Sequence, residues 1–597
     1  MSTELNPQQE KAVSHEKGPL LVIAGAGSGK TRTLTSRLIH LLSSGVPPQN
    51  VLAITFTNKA AGEMKKRVFS HPGLTHFSLE QSPFVGTFHS FGCKLLREQS
   101  SHLGRNPSFS IFDTDDSLRI FKALAQDLGY SRERLNPLKA ASVISRAKNE
   151  LEGPETITSQ EVRVLFERYE EVLAESNAFD FDDLIEKLVV LLQTNPSLLA
   201  YYRDRYRYVL VDEFQDVNTS QYELVRLLAD EHRNLTVVGD DAQSIYRFRG
   251  SDFRNFLHFD QDWPDATVVA LGQNYRSTQS ILAAASGLIL HNNNQKHKKL
   301  WTDNDPGSPI TIAATLSEDD EAMWIVERVT SLLQQSNISP SIGLLYRTNA
   351  QSRALEQALI ATRIPYVIYG GVRFYDRQEV KDIIAFLRIA HNPLDRAALI
   401  RLQKTFPKKI HIPLLEQLPS VSGALSLLEL ISWFLKKADY HSFLERKFQN
   451  ADERKENITE LISYAETFHD ITSFLERVSL LESHDQPRGS LTDKPVHCHL
   501  TTIHLAKGLE FDHVFIVGCD EGILPHHRSF TSRDELEEER RLMYVAMTRA
   551  RQGLSLSFSH LPSRFLYEIP PEHTYFINLK TDSSSHDLPD EEELYIE

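Results

Sequence analysis

Short apolar runs of four or five residues recur along this chain, each followed by a stretch in which apolar residues return every three or four positions. Leu20 to Ile23, Val51 to Thr55, Tyr208 to Val211 and Leu235 to Val238 form one series; Ile310 to Ala314, Ile342 to Tyr346, Pro365 to Ile368 and Val514 to Val517 form a second. Continuous apolar runs of this length are strands buried on both faces, and their alternation with helical patterns predicts parallel sheets flanked by helices. Two α/β cores are therefore expected. Helix-rich segments from about Gln99 to Asp204 and from about Ile389 to Lys494 interrupt the two series, so each core carries an inserted, mainly helical domain. The expected division is 1–98 with 205–277 for the first core, 99–204 for its insertion, 278–388 with 495–570 for the second core, 389–494 for a reduced insertion, and 571–597 for an acidic, disordered tail.

Composition supports this organisation and narrows the chemistry. The chain has 597 residues, 41% of them apolar, which is ample for several cores. No segment approaches the roughly 18 uninterrupted apolar residues of a membrane span, and Met1-Ser2-Thr3-Glu4 has neither a basic flank nor an apolar signal core. A soluble, cytoplasmic protein is expected, with no membrane partner. Cys93, Cys498 and Cys519 lie far apart without ligand spacing, so they are expected as packing residues, not a disulfide framework or zinc site. The net charge of −15 argues superficially against nucleic acid, yet a local basic channel binds phosphates on an acidic protein. Part of the excess sits in Glu535 to Glu539, expected as a solvated helix start, and in the tail at Asp590 to Glu593.

The chemistry concentrates after the first strand. Ala24-Gly25-Ala26-Gly27-Ser28-Gly29-Lys30-Thr31-Arg32 has the strand, glycine turn and helix order of a phosphate cradle, with Ala24 in place of the usual first glycine. Its glycines let backbone amides turn onto a polyphosphate at the positive end of the next helix. Lys30 would reach the β and γ phosphates, and Thr31 would hold Mg²⁺. Asp212-Glu213-Phe214-Gln215-Asp216 follows the apolar run Tyr208 to Val211 and puts acids at the carboxyl end of a buried strand. Acids there are often solvated turn residues. Beside Gly29-Lys30-Thr31 they read instead as a metal ligand, Asp212, and a base or orienting group for water, Glu213. A third stretch, Gly239-Asp240-Asp241-Ala242-Gln243-Ser244-Ile245-Tyr246-Arg247-Phe248-Arg249-Gly250, interleaves aromatics with arginines. Such interleaving suits single-stranded nucleic acid, although Tyr246 and Phe248 two apart also fit one face of a core strand. Gln243 is placed to sense the γ-phosphate.

With these three stretches in place, the chain resembles superfamily 1 DNA helicases of the UvrD/Rep/PcrA type over nearly its whole length. Leu5-Asn6-Pro7-Gln8-Gln9 is similar to the family's Q motif, where Gln9 reads the adenine edge. Ile54 to Ala61, with Phe56, Thr57 and Asn58, and Gly86-Thr87-Phe88-His89-Ser90 resemble strand-binding motifs Ia and Ib. Asn274-Tyr275-Arg276-Ser277 is similar to motif IV, implying Tyr275 on adenine and Arg276 on the γ-phosphate. His504 to Phe511 resembles motif V, with Glu510 toward the ribose, and Glu538 to Ala550 resembles motif VI, whose Arg549 is the second arginine finger. Phe179-Asp180-Phe181-Asp182-Asp183-Leu184 offers Phe181 as a further base contact, although a Phe beside Leu184 and Ile185 is also an ordinary core residue.

The resemblance implies two RecA-like P-loop cores and an ATP- and Mg²⁺-dependent DNA helicase that translocates 3′ to 5′ along single-stranded DNA. Its implied partners are single-stranded DNA, a 3′-tailed duplex and repair or replication proteins, and it implies a monomer or weak dimer. Lys30, Asp212, Glu213, Gln243, Arg276 and Arg549 would be catalytic. Phe56, Thr57, Asn58, His89, Phe181, Tyr246, Phe248, Arg249 and His504 would face the nucleic acid. Two stretches depart from the family pattern. Thr405 to Pro413 lacks the Gly-Ile-Gly hairpin that grips duplex, and its Lys408 and Lys409 are expected in an exposed turn. Gln552 to Pro562 leaves little room for a strand-separating hairpin. The alternative function is therefore a translocase that strips bound proteins without efficient unwinding; a nucleotide-switched binding module without turnover is a third reading.

Overall fold

The computed structural model describes residues 5–71, 82–131, 134–296, 298–335, 340–370, 373–393, 395–475, 478, 496–581 and 583–585. The chain divides into two compact units, Met1–Arg276 with Asn293–Asp303, and Ser277–Asn292 with Asn304–Glu597.

In the first unit, β1 (Leu20–Ala24), β2 (Val51–Thr55), β3 (Phe84–Thr87), β4 (Ser110–Phe112), β5 (Ala178–Asp180), β6 (Tyr208–Val211), β7 (Leu235–Gly239) and β8 (Thr267–Leu271) occur in chain order. Six of them form one sheet, β3-β2-β6-β7-β1-β8, with every pairing parallel. Side chains alternate across its faces. Leu21, Ile23, Leu52, Ile54, Val209 and Val211 pack into one core and Leu20, Val22, Ala24, Val51, Ala53 and Leu210 into the other, so both faces are largely apolar.

The insertion of this unit is mainly helical, but β4 and β5 add a short parallel pair that the sequence reading lacked. Its own core runs from Phe121 to Ala178. The helices Asp183–Thr194 and Pro196–Arg205, expected within the insertion, instead bury Leu184, Ile185, Leu188, Val189, Leu192 and Tyr202 against the sheet.

The second unit contains β9 (Ile310–Ala314), β10 (Ile342–Tyr346), β11 (Tyr366–Ile368), β12 (Cys498–Thr502), β13 (Phe511–Val517), β14 (Ala550–Phe558), β15 (Thr574–Asn578) and β16 (Ser583–Ser585). Their order is β11-β12-β10-β13-β14-β9-β15-β16, parallel except at β15 with β16. This corrects the expected tail: residues 574–578 pair in register with β9, because Thr574, Phe576 and Asn578 turn inward while Tyr575 faces out. Residues 586–597 lie outside the described residues. The helical core of this unit begins at Phe374, earlier than expected, since Val380, Ile383, Phe386 and Leu387 of the helix Gln378–His391 already belong to it.

Lys408 and Lys409 are exposed as expected, but they open the helix Lys408–Val421 and do not form a turn. Within Glu535 to Glu539, Glu537 and Glu539 are buried in the helix Arg533–Met547, and Glu539 pairs with Arg347 at 2.8 Å, so the run is not simply solvated. Residues 552–558 of the suspected hairpin stretch are spent on β14. All three cysteines are free, and Cys498 and Cys519 are buried. Among the described residues no helix is long and apolar enough to cross a membrane.

Candidate nucleotide site and nucleic-acid face

The site grows from the carboxyl ends of β1, β6 and β7. After Ala24 the chain turns through Gly27 at φ +66° and Gly29 at φ +82°, left-handed conformations that suit glycine. The loop is also tightly faced: a Cβ on Gly27 would lie 2.7 Å from Asn274 Nδ2 and 2.8 Å from Arg276 Cβ. The helix Lys30–Ser43 starts at once, so Lys30 and Thr31 sit in its first turn. Lys30 Nζ is buried without a hydrogen-bond partner among the described residues; its nearest acid is Asp240, Oδ2 at 3.9 Å. Thr31 Oγ1 donates to Asp212 Oδ2 at 2.9 Å. Burial, reinforced by the neighbouring Glu213 charge, pushes the Asp212 carboxyl up to about 7, against the pull of Thr31 and Lys30. A buried acid raised in this way is a place where a cation is welcome.

Glu213 is itself left-handed, φ +51°, and its carboxylate accepts from Gln215 Nε2 at 2.6 Å. Gln215 Oε1 in turn accepts the Asp240 amide at 2.9 Å, while Gln243 Nε2 donates to Asp240 Oδ2 at 2.7 Å. The two acidic stretches and Gln243 thus form one hydrogen-bonded set around Lys30.

Residues of the Asn6-to-Gln9 and Asn274-to-Arg276 stretches gather on the same loop. Gln9 Nε2 donates to Ser28 O at 3.0 Å, held there by an Asn6 capping box at the start of the helix Pro7–Val13. Asn6 Nδ2 donates to Tyr275 Oη at 2.8 Å, and the Tyr275 amide donates to Gly27 O at 3.0 Å. Arg276 follows, its amide bonded to Asn274 Oδ1 at 2.8 Å, and Asn274 Nδ2 donates to Ala26 O at 2.7 Å. Arg32 is half-buried in the first helical turn. Gln9, Tyr275 and Arg276 are therefore brought to residues 24–31.

One segment beside the site carried no expectation from the sequence. Residues 293–303 return to the first unit and run beside its site. Leu300 lies where a Cβ on Gly25 would fall, Trp301 exchanges backbone bonds with Gly272 and Asn274, and Lys298 Nζ reaches Asp240 Oδ1 at 2.6 Å and Asp241 Oδ1 at 2.8 Å. The only sequence signal was the basic cluster Lys296, Lys298 and Lys299, which does not disclose acids far back in the chain.

The aromatic residues form two exposed steps. Phe56, just beyond β2, stacks on Tyr246 with centroids 5.6 Å apart and planes 9° apart, and Tyr246 meets Phe248 edge-on at 6.1 Å. Phe248 is 67% exposed in a one-turn helix, which decides against the core-strand alternative. Phe181 is 51% exposed and lies 5.4 Å from the His89 ring, whose pKa is lowered by burial. Thr57 caps the helix Asn58–Phe69 through the Ala60 amide at 3.1 Å, leaving Thr57 and Asn58 exposed beside Phe56. The Arg249 side chain lies outside the described residues.

Arg549, Glu510 and His504 belong to the second unit. The Arg549 side chain is buried, with Nε donating to Val545 O at 3.0 Å, Nη1 to Leu509 O at 3.1 Å and Nη2 to Thr548 Oγ1 at 3.3 Å. Glu510 is exposed and ion-paired with Arg551, and His504 is half-buried in the short helix Ile503–Ala506.

Comparison with known proteins agrees with this assembly. Residues 5–264 match the UvrD/REP helicase N-terminal domain, and residues 269–450 and 430–560 match the UvrD-like helicase C-terminal domain. The chain is similar to the ATP-dependent DNA helicase UvrD1 of Mycobacterium tuberculosis, 38% identical over 95% of this chain and 85% of that protein. It is also similar to the ATP-dependent DNA helicase PcrA of Bacillus subtilis, 37% identical over 97% and 87%. A probable DNA helicase II homolog of Rickettsia felis is 37% identical over 96% of both chains. With both family domains matched along the chain and identity sustained over nearly its full length, the chain belongs to the UvrD-like helicase family.

Proposed function

We propose that this protein is an ATP-dependent DNA helicase that moves 3′ to 5′ along single-stranded DNA in repair, replication or recombination. The observation that carries the reading is Lys30: an ammonium buried without a hydrogen-bond partner among the described residues, directly after a glycine loop in a unit that also exposes Phe248 and Phe181. Lys30 is paired with Asp240 at 3.9 Å but lacks a hydrogen-bond acceptor among the described residues, a costly state for a buried ammonium, and a polyphosphate supplies that acceptor.

Each side chain has a defined task in this reading. Lys30 meets the β and γ phosphates, and Gln9 and Tyr275 hold the adenine. Glu213 orients the attacking water or accepts its proton. Gln243, bonded to Asp240, senses the γ-phosphate. Arg276 meets the developing charge on the transferring phosphoryl group. Thr31 Oγ1 and Asp212 Oδ2, 2.9 Å apart, suit one Mg²⁺ ion completed by phosphate oxygens and water, since no group of three or more His, Cys, Asp or Glu among the described residues forms a cage of its own. That ion neutralises phosphate charge when bound. Arg549 is proposed as the second arginine finger. To serve, its guanidinium exchanges bonds to Val545 and Leu509 for bonds to phosphate, which makes it a switchable donor.

The test is ATP hydrolysis measured with and without single-stranded DNA, followed by translocation assays on tracks of both polarities. Strong stimulation and 3′-to-5′ movement are expected; equal rates with and without DNA would overturn the reading. A narrower form of it has its own support. Residues 552–558 are committed to β14, which favours a translocase that clears bound proteins over one that separates long duplexes. Efficient displacement of a strand from a 3′-tailed duplex by the purified protein alone would refute that narrower form.

A further inference from the structure

Asn149, the last residue of the helix Pro137–Asn149, joins three segments that the motifs treat separately. Its Oδ1 accepts from Asn218 Nδ2 at 2.6 Å, and its Nδ2 donates to Asp182 Oδ1 at 2.9 Å and to Ser145 O at 2.8 Å. Asn218 stands two residues beyond the acidic stretch Asp212 to Asp216 and caps the helix Thr219–Ala229, its Oδ1 accepting the Gln221 amide at 2.9 Å. Asp182 directly follows the exposed ring of Phe181. A Cβ on Gly250, which closes the turn carrying Phe248, would touch Asn149 Cβ at 4.0 Å.

The turn that bears Phe181 is rigid. The Asp180 amide donates to Asp183 Oδ2 at 3.0 Å and the Asp183 amide to Asp180 Oδ1 at 2.8 Å, closing it from both sides. Lys148, the neighbour of Asn149, drives its buried ammonium between Glu170 at 2.7 Å, Asp180 at 2.9 Å and Asp183 at 2.7 Å. Removing one partner from such a buried set leaves uncompensated charge, so the turn and residues 148–149 move together or not at all. Residues 148–149 are in turn tied to Asn218.

We infer that Asn149 is a positioning residue that passes the state of the acids at 212–216 to the Phe181 ring, so that hydrolysis and the grip on a base are linked within the first unit. The inference rests on the function proposed above and adds the route by which the two sites communicate. Asp182 is the receiving end and Asn218 the sending end.

A double-mutant cycle decides the matter. Hydrolysis without DNA, hydrolysis with saturating single-stranded DNA, and ATP used per nucleotide travelled are measured for Asn149→Ala, Phe181→Ala and the double variant, with melting temperature as a check on folding. Asn149→Ala is expected to keep its DNA-independent rate within about twofold, to lose about tenfold of the DNA stimulation, and to use more ATP per nucleotide. In the Phe181→Ala background the same change is expected to alter stimulation by less than about twofold, because the route then ends in no ring. Asp182→Ala removes the partner atom from the other side and is expected to reproduce the Asn149→Ala result; it carries the cycle if Asn149→Ala folds poorly. Equal losses from Asn149→Ala with and without Phe181, or unchanged stimulation, would overturn the route while leaving the helicase reading intact. Absence of DNA stimulation in the unaltered protein would instead overturn the helicase reading itself.

Discussion

The two parallel sheets end in opposite ways. At the carboxyl end of β1 in the first unit, the chain opens into a left-handed glycine loop, and Lys30 is left with its ammonium buried and without a hydrogen-bond partner among the described residues. At the carboxyl end of β13 in the second, Val517 O accepts from Gln351 at 3.1 Å, the Gly518 amide donates to Glu321 at 2.9 Å, and Asp520 accepts the amides of Ser559 at 3.1 Å and His560 at 2.7 Å. One strand end holds a donor in reserve, and the other satisfies its polar groups from within. Related architectures thus differ in function by what their strand ends leave unmatched, and an open α/β sheet binds its ligand where that mismatch lies.

Substitution of the two proposed cationic contacts to phosphate gives the largest expected contrast. Lys30→Ala is expected to lower DNA-stimulated hydrolysis by about 10³-fold or more, while the melting temperature holds or rises because a costly buried charge is gone. Arg549→Ala is expected to lower the rate by about 10³ to 10⁵-fold and to lower stability by about 1–3 kcal/mol, since the Val545 and Leu509 carbonyls lose donors. Parallel kinetics and calorimetry check both. A fall in melting temperature for Lys30→Ala would break the contrast between the two strand ends.

The next largest effect concerns the segment that returns to the first unit. Lys298→Met leaves the buried carboxylates of Asp240 and Asp241 without their lysine and is expected to cost about 3–5 kcal/mol in denaturant unfolding. Arg347→Ala in the second unit, where Arg347 is partly exposed and Glu539 keeps the His526 amide as a donor, is expected to cost less, about 1–3 kcal/mol. Equal losses would mean that the two strand ends are not electrostatically distinct.

Lys298 also marks where the sequence stops being informative. β2, β6, β9 and β10 were legible to the residue, because strands covered by helices on both faces must be apolar throughout. β12, reading Cys498-His499-Leu500-Thr501-Thr502, and β15, reading Thr574-Tyr575-Phe576-Ile577-Asn578, mix polar residues into the sheet and gave no such run. Lys30, Thr31 and Asp212 stand in short strand-end motifs that the sequence displays, and Gln9 and Tyr275 came from the family resemblance; all five lie at or beside the glycine loop. Lys298 and Asn149 act through partners remote in sequence, and neither stands in a spacing that announces its partner.

A smaller effect separates the exposed aromatics. Phe248→Ala is expected to weaken single-strand binding by about 1–3 kcal/mol, the worth of one stacked base, and to raise the ATP used per nucleotide travelled. Phe530 of the second unit is also exposed, but Arg564 covers its ring at 5.0 Å, and Phe530→Ala is expected to leave DNA affinity unchanged. Equal losses of affinity in the two variants, read by fluorescence titration, would erase the distinction between an open ring and a covered one.

The smallest effect is a pH dependence carried by Glu321 at the closed strand end. Burial, with the Asp520 charge nearby, raises the Glu321 carboxyl to about 8, against the bonds from Ser557 and the Gly518 amide. Its ordinary value in the unfolded chain is about 4.5. The folded state therefore keeps a proton that the unfolded chain releases between those values, and stability falls as pH rises through that window. The contribution of Glu321 is fully present below about pH 4.5 and is lost as pH passes about 8. Glu321→Gln keeps an oxygen for the Gly518 amide and cannot ionise. Its melting temperature relative to the unaltered protein is expected to climb steadily from about pH 5 to pH 8.5. A difference that stays constant with pH would show that the second sheet end tolerates a charge there, and that it is less sealed than its hydrogen bonds imply.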